Sequence, residues 1–259
     1  MITSRRPPGS VFVSGAGRGI GRATAELFLS RGWRVGFYDL DPDSVGDAAG
    51  GRDGAVHGAL DVRDADRWRT ALRDFCGDGP LDVLVNNAGV LSSGPFTDID
   101  LDSHRRMVDV NFTGVVTGAL EGHRFLRRSR GLLLNLCSAS ALYGQPTLAT
   151  YGATKAAVRS LTEALDIEWR DVRVRSLLPL FVDTEMVTRD GVRAASVSSL
   201  GVRLSADDVA EAAWKVVHER GIPLRGPHRA VGRQTRLMAA AAAVSPGWAN
   251  RLVVARVTR

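Results

Sequence analysis

Tyr151 and Lys155 stand four residues apart, with Ser138 thirteen positions upstream of the tyrosine. A phenol, an ammonium and a hydroxyl can converge on one carbonyl oxygen, so alcohol–ketone redox chemistry is the first expectation. Four-residue spacing in a helix puts Tyr151 and Lys155 on one face, one turn apart, where the cation can act directly on the phenol. The same spacing also arises in ordinary helices as a half-buried ring beside a solvated cation, so the pair needs a second signal.

That signal lies near the other end of the chain. An apolar run, Val11 to Val13, breaks after Ser14 into Gly15, Gly17, Gly19 and Gly21, with Arg18 and Ile20 between them, and then opens a helical pattern. Glycines let a backbone turn tightly and approach a pyrophosphate, while the N–H groups and dipole of the following helix stabilise its charge. The next predicted strand, Arg34–Asp39, ends on the carboxylate that such a unit uses to accept hydrogen bonds from the adenosine ribose hydroxyls. Asp39 would also serve as a plain turn residue, because Asp39–Asp43 is a good turn sequence.

With both ends in view the chain resembles the short-chain dehydrogenase/reductase family. The family's glycine pattern matches Gly15, Gly19 and Gly21, and its Asn-Asn-Ala-Gly segment matches Asn86, Asn87, Ala88 and Gly89. Its adenine-contacting acid and following apolar residue match Asp61 and Val62, and its helix asparagine matches Asn111. Ser138, Tyr151 and Lys155 match its catalytic residues, while Pro179, Val182 and Thr184 fall in its segment after the sixth strand. The resemblance implies that Tyr151 is the acid/base, that Lys155 lowers its pKa and binds the nicotinamide ribose, and that Ser138 orients the substrate oxygen. It further implies that Asn111 holds a water in the proton relay. One departure stands out: Leu180 occupies the position after Pro179 where the family places glycine, which puts the shape of that loop in question.

The 259 residues alternate strand and helix patterns from end to end, which favours one α/β domain with a doubly wound parallel sheet of the Rossmann type. Residues 1–9 read as a disordered basic leader and 10–232 as the catalytic domain, with a substrate loop over 181–204. Residues 233–259 read as a basic amphipathic tail. Strands are expected at Ser10–Ser14, Arg34–Asp39, Ala55–Asp61, Leu81–Asn86, Gly131–Cys137, Val172–Leu178 and His228–Val231. Helices are expected at Ile20–Arg31, Asp64–Phe75, Leu101–Leu126, Tyr151–Trp169 and Ala206–Glu219. Two cysteines, Cys76 and Cys137, suit a reducing cytoplasm, and no cluster has metal-ligand spacing.

A net charge of +6 raises nucleic acid as a partner, but the arginine excess belongs to the tail, not to a recognised nucleic-acid fold. Leu237, Ala241, Val244, Trp248, Leu252 and Ala255 recur there at helical spacing; packing on the chain itself or on a second subunit is preferred over contact with a membrane surface. The resemblance implies a homodimer or homotetramer. Cofactor choice sets Asp39 against Arg18: Arg18 could attract a 2′-phosphate, but Asp39 sits closer to the site and repels one, which favours NAD over NADP. The apolar character of 181–204 points to a lipophilic alcohol or ketone as substrate. A non-catalytic NAD-sensing protein and an epimerase or dehydratase on the same fold are the alternatives.

Overall fold

The computed structural model describes residues 9–183, 204–219 and 226–257. Seven parallel strands form one sheet: β1 Ser10–Ser14, β2 Arg34–Asp39, β3 Ala55–Ala59, β4 Val83–Asn86, β5 Leu132–Leu136, β6 Arg173–Leu178 and β7 His228–Ala230. Their spatial order is β3-β2-β1-β4-β5-β6-β7. The chain therefore winds outward from β1 to β3, then returns to place β4 against the other side of β1. The crevice beyond the carboxyl ends of β1 and β4 is where such a sheet accepts ligands.

Alternation along the strands supplies both faces of the sheet. Val11 and Val13 pack into one apolar layer with Phe28, Phe37, Val85 and Leu134. Phe12, between them, joins the opposite layer with Tyr38, Trp68, Phe75, Leu84 and Leu133. The first layer is covered by helices α1 Gly19–Ser30, α2 Pro42–Ala49 and α7 Ala206–His218. The second is covered by α3 Ala65–Cys76 and α5 Gly114–Ser129, with α6 Ala149–Glu168 along its edge. Two further helices, α8 Arg233–Val244 and α9 Gly247–Val257, follow β7. Among the described residues, no helix is long and apolar enough to cross a membrane.

Two expected elements differ from the structure. The helix expected over Leu101–Leu126 is broken into α4 Leu101–Val108 and α5 by a π-helical turn at Asp109–Thr113. The turn sequence after Asp39 goes on into α2, because Asp41 caps it by accepting from the N–H groups of Asp43 and Ser44 and Pro42 occupies its first position.

Polar groups inside the sheet tie α6 to the strands. Buried Asn86 donates to the Oδ1 of Asn135 at 3.1 Å, and Asn135 donates to the Oγ1 of Thr162 on α6 at 3.0 Å. On the same helix Glu163 meets His228 at 2.7 Å, and His228 meets the hydroxyl of Ser176 at 2.7 Å. That arrangement has the order of a hydrolase triad, but Ser176 is fully buried in β6 and offers no nucleophile to a substrate. It fastens β7 to α6 instead. Replacing Asn135 by Ala removes the acceptor of the buried Asn86 amide and the donor to the buried Thr162 hydroxyl, so urea unfolding should show a loss of about 1–3 kcal/mol; an unchanged midpoint would mean the network carries no stability.

Candidate active site

The glycine loop between β1 and α1 is shaped by contacts that leave no room for side chains. Gly15 and Gly19 hold positive φ values of 68° and 53°. A Cβ at Gly21 would lie 2.0 Å from the carbonyl oxygen of Gly15. Asn87 clamps the loop from the neighbouring strand end, its Nδ2 donating to the carbonyls of Ser14 at 3.1 Å and Gly15 at 2.9 Å. Asp39 clamps it from the other side, accepting from the N–H of Gly17 at 3.0 Å. The result is a backbone cradle at a helix N-terminus with a carboxylate beside it, which fits the pyrophosphate and ribose of a dinucleotide.

One cavity of about 550 Å³ runs from this cradle along the carboxyl ends of the strands. Its wall includes Gly15, Arg18, Gly19, Ile20 and Asp39 at one end and Ser138, Tyr151 and Lys155 at the other. Asp61, Val62, Asn87, Ala88, Gly89, Pro179 and Val182 also line it. Gly21 sits behind the cradle, and Thr184 lies outside the described residues.

Asn111 is fully buried and does not line the cavity. Its Oδ1 accepts from the N–H of Val90 and its Nδ2 donates to the carbonyl of Val90, both at 2.8 Å. The π-helical turn thus aims this side chain at the strand-end segment Asn87–Val90 and holds it in place. Asp61 is likewise engaged: Arg63 binds its carboxylate at 2.6 Å and 2.9 Å and holds its pKa below the usual carboxylate range. Arg63, Arg106 and Ser140 line the cavity without having been singled out in the sequence. The Asp-x-Arg spacing of Asp61 and Arg63 was the available signal for the first.

Tyr151 is half-buried near the start of α6, and Lys155, one turn on, is buried. The ammonium donates to the carbonyl oxygen of Leu136 at the end of β5, 2.9 Å away, and lies 5.7 Å from the centre of the Tyr151 ring. Burial lowers the Lys155 pKa. The sequence led to the expectation that Lys155 pulls the phenol down; the chain alone does the reverse. Desolvation pushes Tyr151 up to about 12, against a smaller downward pull from a hydrogen bond with Ser138. Ser138 in turn donates to Ser140 at 3.2 Å, and Ser140 donates to the Oε1 of Gln145 at 3.2 Å, so a line of hydroxyls runs from the phenol into the buried wall. Leu180 raises no backbone difficulty, since it is absent from the non-glycine residues with positive φ, and its side chain faces the cavity.

A family model described as short chain dehydrogenase matches residues 10–193. The 3-alpha-(or 20-beta)-hydroxysteroid dehydrogenase of Mycobacterium tuberculosis H37Rv is 35% identical over 212 residues, covering 76% of this chain and 82% of that protein. Among solved structures, a gluconate 5-dehydrogenase from Burkholderia cenocepacia in complex with NADP and tartrate is similar at a TM-score of 0.79 and 27% identity, covering 90% of this chain and 97% of that one. A 3-ketoacyl-(acyl-carrier-protein) reductase from Brucella melitensis complexed with NADH is similar at 0.74 and 29% identity, covering 86% and 95%.

The raised phenol pKa has a direct optical consequence. Spectrophotometric titration of the protein and of Tyr151→Phe should differ by one tyrosinate that forms near pH 12, well above the ordinary value of about 10. The folded-state pKa lies above the unfolded one, so stability from this group is complete below pH 10 and is lost as pH rises through about 12. A difference spectrum already complete near pH 10 would contradict the desolvated placement of Tyr151.

Proposed function

The chain belongs to the short-chain dehydrogenase family of oxidoreductases, and from that premise we propose that Ser138, Tyr151 and Lys155 convert a secondary alcohol and its ketone. The observation that carries this reading is the single cavity, which has the glycine cradle at one end and the phenol, hydroxyl and ammonium at the other. A nicotinamide dinucleotide bound there supplies the hydride acceptor or donor. Gly15, Gly19 and the N–H groups opening α1 hold its pyrophosphate, with Arg18 and Ile20 beside them. Asp39 holds the adenosine ribose, and Asp61 and Val62 wall the adenine end. Lys155 serves the second ribose, and Asn87, Ala88, Gly89, Pro179 and Val182 complete the binding surface.

The work of the chain's own residues follows from their protonation. At neutral pH a phenol raised to about 12 is fully protonated, so Tyr151 is set to give its proton to a carbonyl oxygen. Ser138 orients that oxygen and donates to it as negative charge develops. In the oxidative direction Tyr151 must take the proton, which requires the phenolate to be stabilised by roughly 7 kcal/mol to titrate near pH 7. Lys155 is the cation placed to contribute, and Asn111 steadies the Asn87–Val90 wall.

Asp39 supports NAD(H) as the cofactor. A 2′-phosphate about 4 Å from its carboxylate would cost on the order of 4 kcal/mol per charge pair at an effective dielectric of 20. The relatives named above bind NADP in one case and NADH in the other, so the choice rests on this charge. Leu91, Leu148, Leu180 and Phe181 make the substrate end apolar, which supports a lipophilic alcohol or ketone. Exposed Leu120 on α5 and Ile167 on α6 support pairing of these helices with a second copy. The two thiols, both free, suit a reducing cytoplasm.

An alcohol and ketone panel followed at the reduced-nicotinamide absorbance tests this reading. Tyr151→Phe should lower kcat by about 10²–10⁴-fold with cofactor affinity little changed; turnover at the parent rate would exclude the assignment. In the same assay kcat/KM should favour NAD(H), and Asp39→Ser should shrink the preference; a clear NADP(H) preference in the parent would overturn the role given to Asp39.

A further inference from the structure

The two helices that follow β7 carry four large apolar side chains on the outside. On α8, Leu237 is 71% exposed and Val244 83%; on α9, Trp248 is 69% exposed and Leu252 63%. Only Thr235 of α8 is buried, and no residue of α9 is buried among the described residues. The helices therefore reverse the usual arrangement, in which a surface helix turns its apolar stripe to the core. The same outward faces carry arginines: Arg233, Arg236 and Leu237 lie within one turn of each other, as do Trp248, Arg251 and Leu252. After Glu219 the sequence contains no aspartate or glutamate. Arg229 is already paired with Glu219 at 2.7 Å, whereas Arg233, Arg236, Arg251 and Arg256 make no ion pair among the described residues.

From this face we infer that α8 and α9 dock the protein on an anionic lipid surface. Charge and apolarity must be satisfied together, and that pairing selects the occupant. Leucine, valine and tryptophan side chains gain by entering the boundary between headgroups and acyl chains, while neighbouring guanidiniums meet lipid phosphates. Nucleic acid would satisfy the arginines but leave Leu237, Val244 and Leu252 in water. A second copy meeting this face through a twofold axis would set arginine against arginine with no carboxylate from the tail to neutralise them.

The position of the tail adds a functional consequence. The N–H of Val231 donates to the carbonyl of Leu178 at 3.0 Å, and α8 begins two residues later. Leu178 is followed directly by Pro179 and Leu180 of the cavity wall. The docking helices thus leave the sheet at the same carboxyl edge where the cavity lies, which brings the cavity toward the lipid. A substrate dissolved in the bilayer would suit the apolar end of that cavity; this clause alone rests on the proposed function.

Co-sedimentation of the full chain with vesicles tests the docking without cofactor or substrate. The protein should pellet with phosphatidylcholine vesicles containing about one third phosphatidylglycerol, and release at about 0.5 M salt. It should pellet far less with phosphatidylcholine alone. The double variant Arg236→Glu/Arg251→Glu and the double variant Leu237→Ala/Trp248→Ala should each weaken partitioning by more than about tenfold. Both should keep the parent's thermal unfolding, since these side chains are exposed. No pelleting at low salt, or equal pelleting by the charge-reversed variant, would overturn the inference. So would self-association lost in the Leu237→Ala/Trp248→Ala variant, or equal competition by a DNA duplex, each of which would assign the face to a different occupant.

Discussion

A buried ammonium is the constraint on which the site depends. Lys155 lies inside the protein on the one helix that also carries Tyr151, and its charge is met by the carbonyl of Leu136 at the end of β5. Removing such a charge from water costs several kcal/mol unless a partner is supplied in good geometry. The rotation of α6 about its axis is therefore limited: turning Lys155 away from Leu136 would abandon the partner. With that rotation set, the residue one turn earlier must face the cavity, and that residue is Tyr151. The network from Asn86 through Asn135 to Thr162 restrains the same helix two turns further on.

The opposite end of the cavity is built on a parallel logic, in which side chains at strand ends hold backbone. Asn87 and Asp39 both spend hydrogen bonds on the glycine loop, and Asn111 spends its amide on Val90. Each of these residues has the chemistry of a ligand-binding group, and each is used to shape a wall. The crevice walls are thus held by the chain's own hydrogen bonds.

Much of this was legible in the sequence, because strand periodicity and glycine spacing are local signals. Each of the seven strands begins and ends within two residues of its expected bounds, and the glycine cradle and Tyr151–Lys155 face lie on one cavity. Helix α2 was missed although Asp41-Pro42 is a recognisable helix start, since the same residues also spell a turn. The π-helical turn at Asp109–Thr113 leaves no mark in hydrophobic periodicity, so one long helix was expected where two occur. The raised pKa of Tyr151 was not legible for a different reason. Spacing shows that a cation is near, but desolvation is summed over neighbours drawn from the whole chain, and here it dominates. The outward-facing apolar residues of α8 and α9 belong to the same class: helical spacing was visible, while the direction of the stripe became visible only in three dimensions.

The most direct test of the account is the path of the hydrogen itself. A ketone reduced by this protein with a nicotinamide cofactor deuterated at C4 of the transferring face should yield an alcohol that carries the deuterium on its carbinol carbon, while the hydroxyl proton exchanges with solvent. Product formed at the full rate with solvent hydrogen at that carbon would show that no hydride passes from the nicotinamide to the substrate carbon beside Tyr151, and the assignment of Tyr151, Ser138 and Lys155 would be wrong.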